Sequence, residues 1–214
     1  QKPFYAFFKS RGIDFATRCA FHHSFFLASK TAKDGSTYMN LSFPMHIPGQ
    51  PERCVGLEER GYPRKDGSAR KGMATGTNAS EGLWMASPKN TALQNARIVL
   101  VFESAYDAMA FYQLQMRKES GLDQRGRQDL KAGVYVSTGG NPSYGQIQGL
   151  LKAAPQATFH LGFDKDVAGK QFVANFEDIA SKQSPVAPGN VPADMRAFME
   201  SFDKQPKTIK ELLS

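Results

Sequence analysis

The chain has 214 residues, 41% hydrophobic and 22% charged, so it can bury a core of its own and is neither a disulfide-stapled miniprotein nor a disordered or fibrous chain. No apolar run approaches the roughly 20 residues of a membrane span. Lys and Arg number 27 against 20 Asp and Glu, and the excess is uneven: residues 1–96 hold 13 basic and 7 acidic side chains, residues 97–214 hold 14 and 13. A basic first part is read either as a polyanion-binding surface or as a merely soluble one.

The chain opens Gln1-Lys2-Pro3, with no initiator Met and no signal pattern, as expected of a piece of a longer protein. Residues 4–11 and 15–21 have helical spacing. Residues 36–45 and 54–57 are expected as short antiparallel strands, interrupted by Pro44, Pro48 and Pro51. Eight of the 16 Phe residues precede Pro44 and are expected as a small core under these elements, with Trp84 and Met85 as strand core further on. The two cysteines, Cys19 and Cys54, fit a reducing, cytoplasmic setting.

From Arg97 the pattern becomes regular. Residues 97–103 are a continuous β-branched and apolar run, residues 104–119 a helix, residues 133–137 a second strand, and Gly139-Gly140-Asn141-Pro142 a turn. A second helix carries Ile147, Leu150 and Leu151, a third strand covers residues 157–163, and a third helix runs from Val167 to Lys182. This alternation predicts an α/β fold, a parallel sheet sandwiched by helices, preceded by an α+β lobe. The expected division is a basic lobe over residues 1–96, an α/β domain over 97–183, and a C-terminal loop with helices near 195–202 and 209–213.

Ligands of parallel α/β sheets gather beyond the carboxyl ends of the strands. Three acidic residues fall there: Glu103, Asp164 and Asp166. Clustered carboxylates repel, and a hard divalent cation such as Mg²⁺ offsets that repulsion. The competing reading is that such residues cap the next helix, as Asp166 would before Val167-Ala168-Gly169.

Glu103-Ser104-Ala105-Tyr106-Asp107 resembles the Glu-Gly-x-x-Asp motif of Toprim domains, and Asp164-Lys165-Asp166-Val167-Ala168-Gly169 resembles their Asp-x-Asp-x-Ala-Gly motif. Ser137-Thr138-Gly139-Gly140 stands where that family has its central Gly-containing turn. Within the superfamily, Phe7-Phe8-Lys9-Ser10-Arg11-Gly12-Ile13, Asn40-Leu41-Ser42-Phe43-Pro44-Met45 and Val55-Gly56-Leu57-Glu58-Glu59-Arg60-Gly61 resemble segments of the bacterial primase catalytic core, in a divergent form of the kind carried by mobile elements.

The resemblance implies a Mg²⁺-dependent nucleotidyltransferase, with Mn²⁺ able to substitute, acting on a single-stranded DNA template and nucleoside triphosphates, with a replicative helicase as a further partner and no membrane. It implies Glu103 as catalytic acid or base and metal neighbour, Asp107 as a supporting catalytic residue, and Asp164 and Asp166 as metal ligands. Arg53, Arg60, Arg64, Arg70 and Lys71 are the expected nucleic-acid contacts. The same carboxylates would serve a Toprim nickase, and a silent nucleic-acid-binding module is the third alternative.

Three departures stand out. Ser104 replaces the motif's Gly, Glu58-Glu59 replaces the primase Gly-Gly, and no Lys-Asp-x-Asn segment follows Gln183. Cys19, His22, His23, His46 and Cys54 have no standard zinc spacing and read as core, while the Gly72 to Gly82 stretch lacks a P-loop ending and reads as a surface loop.

Overall fold

The computed structural model describes residues 2–65, 68–117, 120–164 and 166–183. A 3-10 turn leads into α1 (Tyr5–Lys9), and α2 (Phe15–Ala20) follows, its first turn capped by the Asp14 carboxylate, which accepts from the Thr17 N–H at 2.8 Å. Five strands come next: β1 (Phe26–Thr31), β2 (Thr37–Ile47), β3 (Gln50–Arg60), β4 (Lys71–Met73) and β5 (Leu83–Ala86). The chain then alternates through β6 (Ile98–Phe102), α3 (Ala105–Met116), α4 (Gln124–Ala132), β7 (Val134–Ser137), α5 (Tyr144–Ala153), β8 (Thr158–Leu161) and α6 (Val167–Gln183).

One sheet of eight strands carries all of this, in the order β4-β3-β2-β5-β7-β6-β8, with β1 added to β2. The parallel arrangement read from the sequence holds for β6 with β7 and for β6 with β8. Strand β5 joins β7 antiparallel, so the sheet runs through the expected boundary between residues 96 and 97. Alternation along β6 divides the core. Ile98, Leu100 and Phe102 pack with α3, Tyr135 and the aromatic residues of the first lobe, while Val99 and Val101 pack with α5 and α6 through Ile147, Leu150, Phe172 and Phe176.

The first lobe differs from expectation in instructive ways. Strands β2 and β3 are 11 residues each and run through Pro44 and Pro51. One edge of β2 is paired by β1 as far as Ser42 and by β5 from Met45, so Pro44, which has no N–H to give, falls in the gap between these two partners. Strands β1 and β4, and helix α4 in the α/β half, are additional to the sequence reading. The aromatic core is present, but Phe15 and Phe26 are exposed rather than buried in it. His22, His23 and Cys54 are also exposed rather than core. The expected terminal helices lie outside the described residues. No helix among the described residues is long and apolar enough to cross a membrane.

Candidate active site at the carboxyl ends of the parallel strands

Glu103 follows β6 directly, and Asp164 lies three residues beyond β8, its parallel neighbour. The Asp164 backbone N–H donates to Glu103 Oε1 at 3.4 Å. Asp107 sits in the first turn of α3, where its carboxylate accepts from the Ser104 hydroxyl at 2.5 Å and its N–H donates back to Ser104 Oγ at 3.2 Å. Ser104 is thus the helix cap. Its φ of −139° is extended backbone that any residue adopts, which is why Ser is tolerated where the motif has Gly.

Asp166 caps α6: its Oδ1 accepts from the Gly169 N–H at 2.8 Å. The capping reading is therefore correct for that oxygen, and the carboxylate has a second oxygen that this bond does not use. Gly169 is required by a close approach. A Cβ built there would lie 1.8 Å from the Asp164 carbonyl oxygen, so only Gly lets the helix sit against the loop that carries Asp164.

These carboxylates act on one another electrostatically. Glu103 is half-buried, and burial, then the negative charges of Asp164, Asp107 and Asp166, push its carboxyl above the usual range against the opposing Asp164 N–H. Asp107 is exposed, yet burial by the surrounding protein raises its carboxyl, helped by Asp164 and opposed by Ser104, Arg60 and Arg11.

The donors are all carboxylate oxygens, the chemistry a hard divalent cation selects. Among the described residues no three Asp, Glu, His or Cys side chains already form a metal-holding group, for Mg²⁺ or for zinc. An ion would have to draw the carboxylates inward from their present positions.

The first lobe supplies the other wall. Glu58, at 1% exposure, bonds Arg60 and accepts from Ser137 Oγ at 3.2 Å. Ser137 Oγ also lies 3.3 Å from the Glu103 carbonyl and accepts from the Gly139 N–H at 3.1 Å. Burial pushes the Glu58 carboxyl up, opposed by Arg60 and Ser137. Gly139 has φ +73°, and a Cβ there would meet the Met73 methyl at 2.2 Å, so the turn after β7 closes against β4.

The five expected basic contacts separate. Arg60 is buried, paired with Glu58 and 5.8 Å from the Tyr106 ring centroid. Lys71 is exposed and stands directly across from Arg60 in the ladder, on the same face. Arg70 is exposed and lines a shallow recess with Asn40 and Glu59, and Arg64 is exposed in the β3–β4 hairpin. Arg53 is exposed at the far end of β3, beside Gln50. Glu58, Ser137, Tyr106 and Arg11 line the cleft without having been singled out as site residues. The alternation of Glu58 with Arg60 along β3 carried that signal for the first of them.

Residues 100–195 match the family model described as Toprim-like, and the chain therefore contains a Toprim-like domain. Its fold resembles that of the zinc-binding and RNA polymerase domains of the Aquifex aeolicus primase, at a TM-score of 0.54 and 12% sequence identity, over 99% of this chain and 58% of that one. This chain thus spans less than two thirds of that primase chain. No curated protein matches the sequence.

Proposed function

We propose that the protein is a primase-like nucleotidyltransferase core that uses Mg²⁺, or Mn²⁺ in its place, to join nucleotides on a single-stranded DNA template. The observation that carries the reading is the junction of Glu103 with Asp164 at the carboxyl ends of parallel strands, coupled electrostatically to Asp107 and Asp166. The Toprim-like match and the primase-like fold support it. Glu103, Asp164 and Asp166 would hold the cation, which when bound supplies charge neutralisation on the triphosphate. Glu103 has the raised carboxyl suited to moving a proton at a 3′-hydroxyl, and Asp107 supports it through Ser104. Lys71 and Arg64 would meet template phosphates.

The test is incubation of the protein with single-stranded DNA, labelled ribonucleotides and Mg²⁺ or Mn²⁺. New oligonucleotides support the proposal. Shortened template would indicate a nickase, and retention of the template with neither product a silent binding module.

A further inference from the structure

The connection between β3 and β4 is strongly basic. Residues 60–71 hold five Arg and Lys against one Asp, and Arg64, Lys65, Arg70 and Lys71 are all exposed. One aromatic ring stands among these cations: Tyr62, 64% exposed. A lone exposed ring needs no explanation, but this one is held in place and flanked by charge.

Tyr62 lies two residues beyond Arg60 in extended chain, where the Gly61 N–H donates to the Arg70 carbonyl at 2.8 Å. Its side chain is therefore on the Arg60 face, and Lys71 stands across from Arg60 on that same face. The ring packs edge-to-face with Phe7, centroids 5.4 Å apart, and Phe7 is itself only 2% exposed. The Phe7 carbonyl in turn accepts from the Tyr106 hydroxyl at 3.2 Å, and Asp107 follows Tyr106. A continuous run of contacts thus leads from the carboxylate cleft to Tyr62. Among the described residues Tyr62 has no other ring contact, no hydrogen bond and no cation over its face. The exposed rings of the first two helices are different, for the chain's own cations already meet them. The Lys9 ammonium lies 5.3 Å from the Tyr5 centroid, and the Arg18 guanidinium carbon 5.5 Å from that of Phe15.

We propose that Tyr62 is a base-stacking residue, its open face taking one base of a single strand whose phosphates lie against Lys71 and Arg64. The proposal rests on the single-stranded-template reading given above and adds to it a contact with the bases themselves. Every base has a π face, so this contact tolerates sequence, whereas the cations meet only phosphate. A ring that merely covers Phe7 would confer no preference for a strand that carries bases.

The test is fluorescence anisotropy of the whole chain with two labelled oligomers of about 12 units, one of thymidine and one of the same backbone with abasic sugars. The proteins are the unaltered chain, Tyr62→Leu, Tyr62→Phe, Lys71→Gln, and Tyr38→Leu on β2 as a control. Leu still covers Phe7 but offers no flat face, and Phe offers both. The unaltered chain is expected to prefer the thymidine oligomer on the order of tenfold. Tyr62→Leu is expected to lose that preference with its abasic affinity unchanged, while Tyr62→Phe and Tyr38→Leu keep it. Lys71→Gln is expected to weaken both oligomers alike and to reduce the dependence on salt. Equal preference in Tyr62→Leu and the unaltered chain, or no preference in the unaltered chain, would overturn the role of Tyr62 while leaving the template reading intact. Failure of the unaltered chain to bind either oligomer would overturn both.

Discussion

The backbone N–H of Asp164 donates to Glu103 Oε1, joining residues 61 positions apart at the carboxyl ends of two parallel strands. The amide holds one oxygen of Glu103 while burial and three neighbouring carboxylates keep its proton affinity high. A carboxyl so placed suits proton transfer near neutral pH better than an ordinary surface glutamate does.

Glu103→Gln retains the shape and can still accept the Asp164 N–H, but it cannot take a proton. In the template and ribonucleotide assay its turnover is expected to fall by about 10²-fold or more, with single-stranded DNA binding nearly unchanged. A Glu103→Gln protein as active as the unaltered chain would remove the proton-transfer role.

The raised carboxyls of Glu103 and Asp107 set a pH dependence. The folded protein holds these protons more tightly than the unfolded chain, so their contribution to stability is present at acid pH and lost as pH rises through the raised values. A cation relieves the repulsion only where the carboxylates are ionised. Mg²⁺ is therefore expected to raise the melting temperature at about pH 8 and progressively less toward about pH 4. A shift of the same size at both ends, followed by thermal unfolding, would contradict this.

Gly169→Ala sets helix propensity against a collision. In an open helix the change gains about 1 kcal/mol, but here the new Cβ would lie 1.8 Å from the Asp164 carbonyl oxygen. The collision dominates, and denaturant unfolding should show a loss of about 1–3 kcal/mol.

Glu58→Ala leaves Arg60 buried without its partner. The expected cost is about 3–5 kcal/mol, whereas replacing both residues with apolar side chains of similar size, Glu58→Leu with Arg60→Met, is expected to be nearly neutral. Denaturant unfolding of the single and double variants measures the difference. A double variant as unstable as Glu58→Ala would mean that the Ser137 bond, and not the ion pair, sets the cost.

The α/β half was legible because its code is local. Residues 98–102 are apolar at every position as a strand covered on both faces must be, and the acidic residues stand at the strand ends where the motifs put them. Helix α4, in the α/β half, and the first lobe were harder to read for identifiable reasons. Helix α4 buries only Leu130 and so shows almost no apolar face, β4 is three residues long, and Pro44 looks like a strand breaker until the gap between β1 and β5 is known. Within the site, Glu58 looked like an intrusion of charge because Ser137, 79 residues away in the chain, reaches it only in the folded sheet, although Arg60 stands two residues along the same strand. Arg53 and Lys71 were indistinguishable by composition, and strand register separates them.

The central claim is that Glu103, Asp164 and Asp166 close on one divalent cation. A diffraction map of Mn²⁺-soaked crystals, recorded at the manganese absorption edge, is expected to show an anomalous peak at about 2.2 Å from carboxylate oxygens of Glu103 and Asp164, with Asp166 as the third contact. A map with no manganese peak in the cleft, or with manganese bound only at other surface carboxylates, would contradict the account.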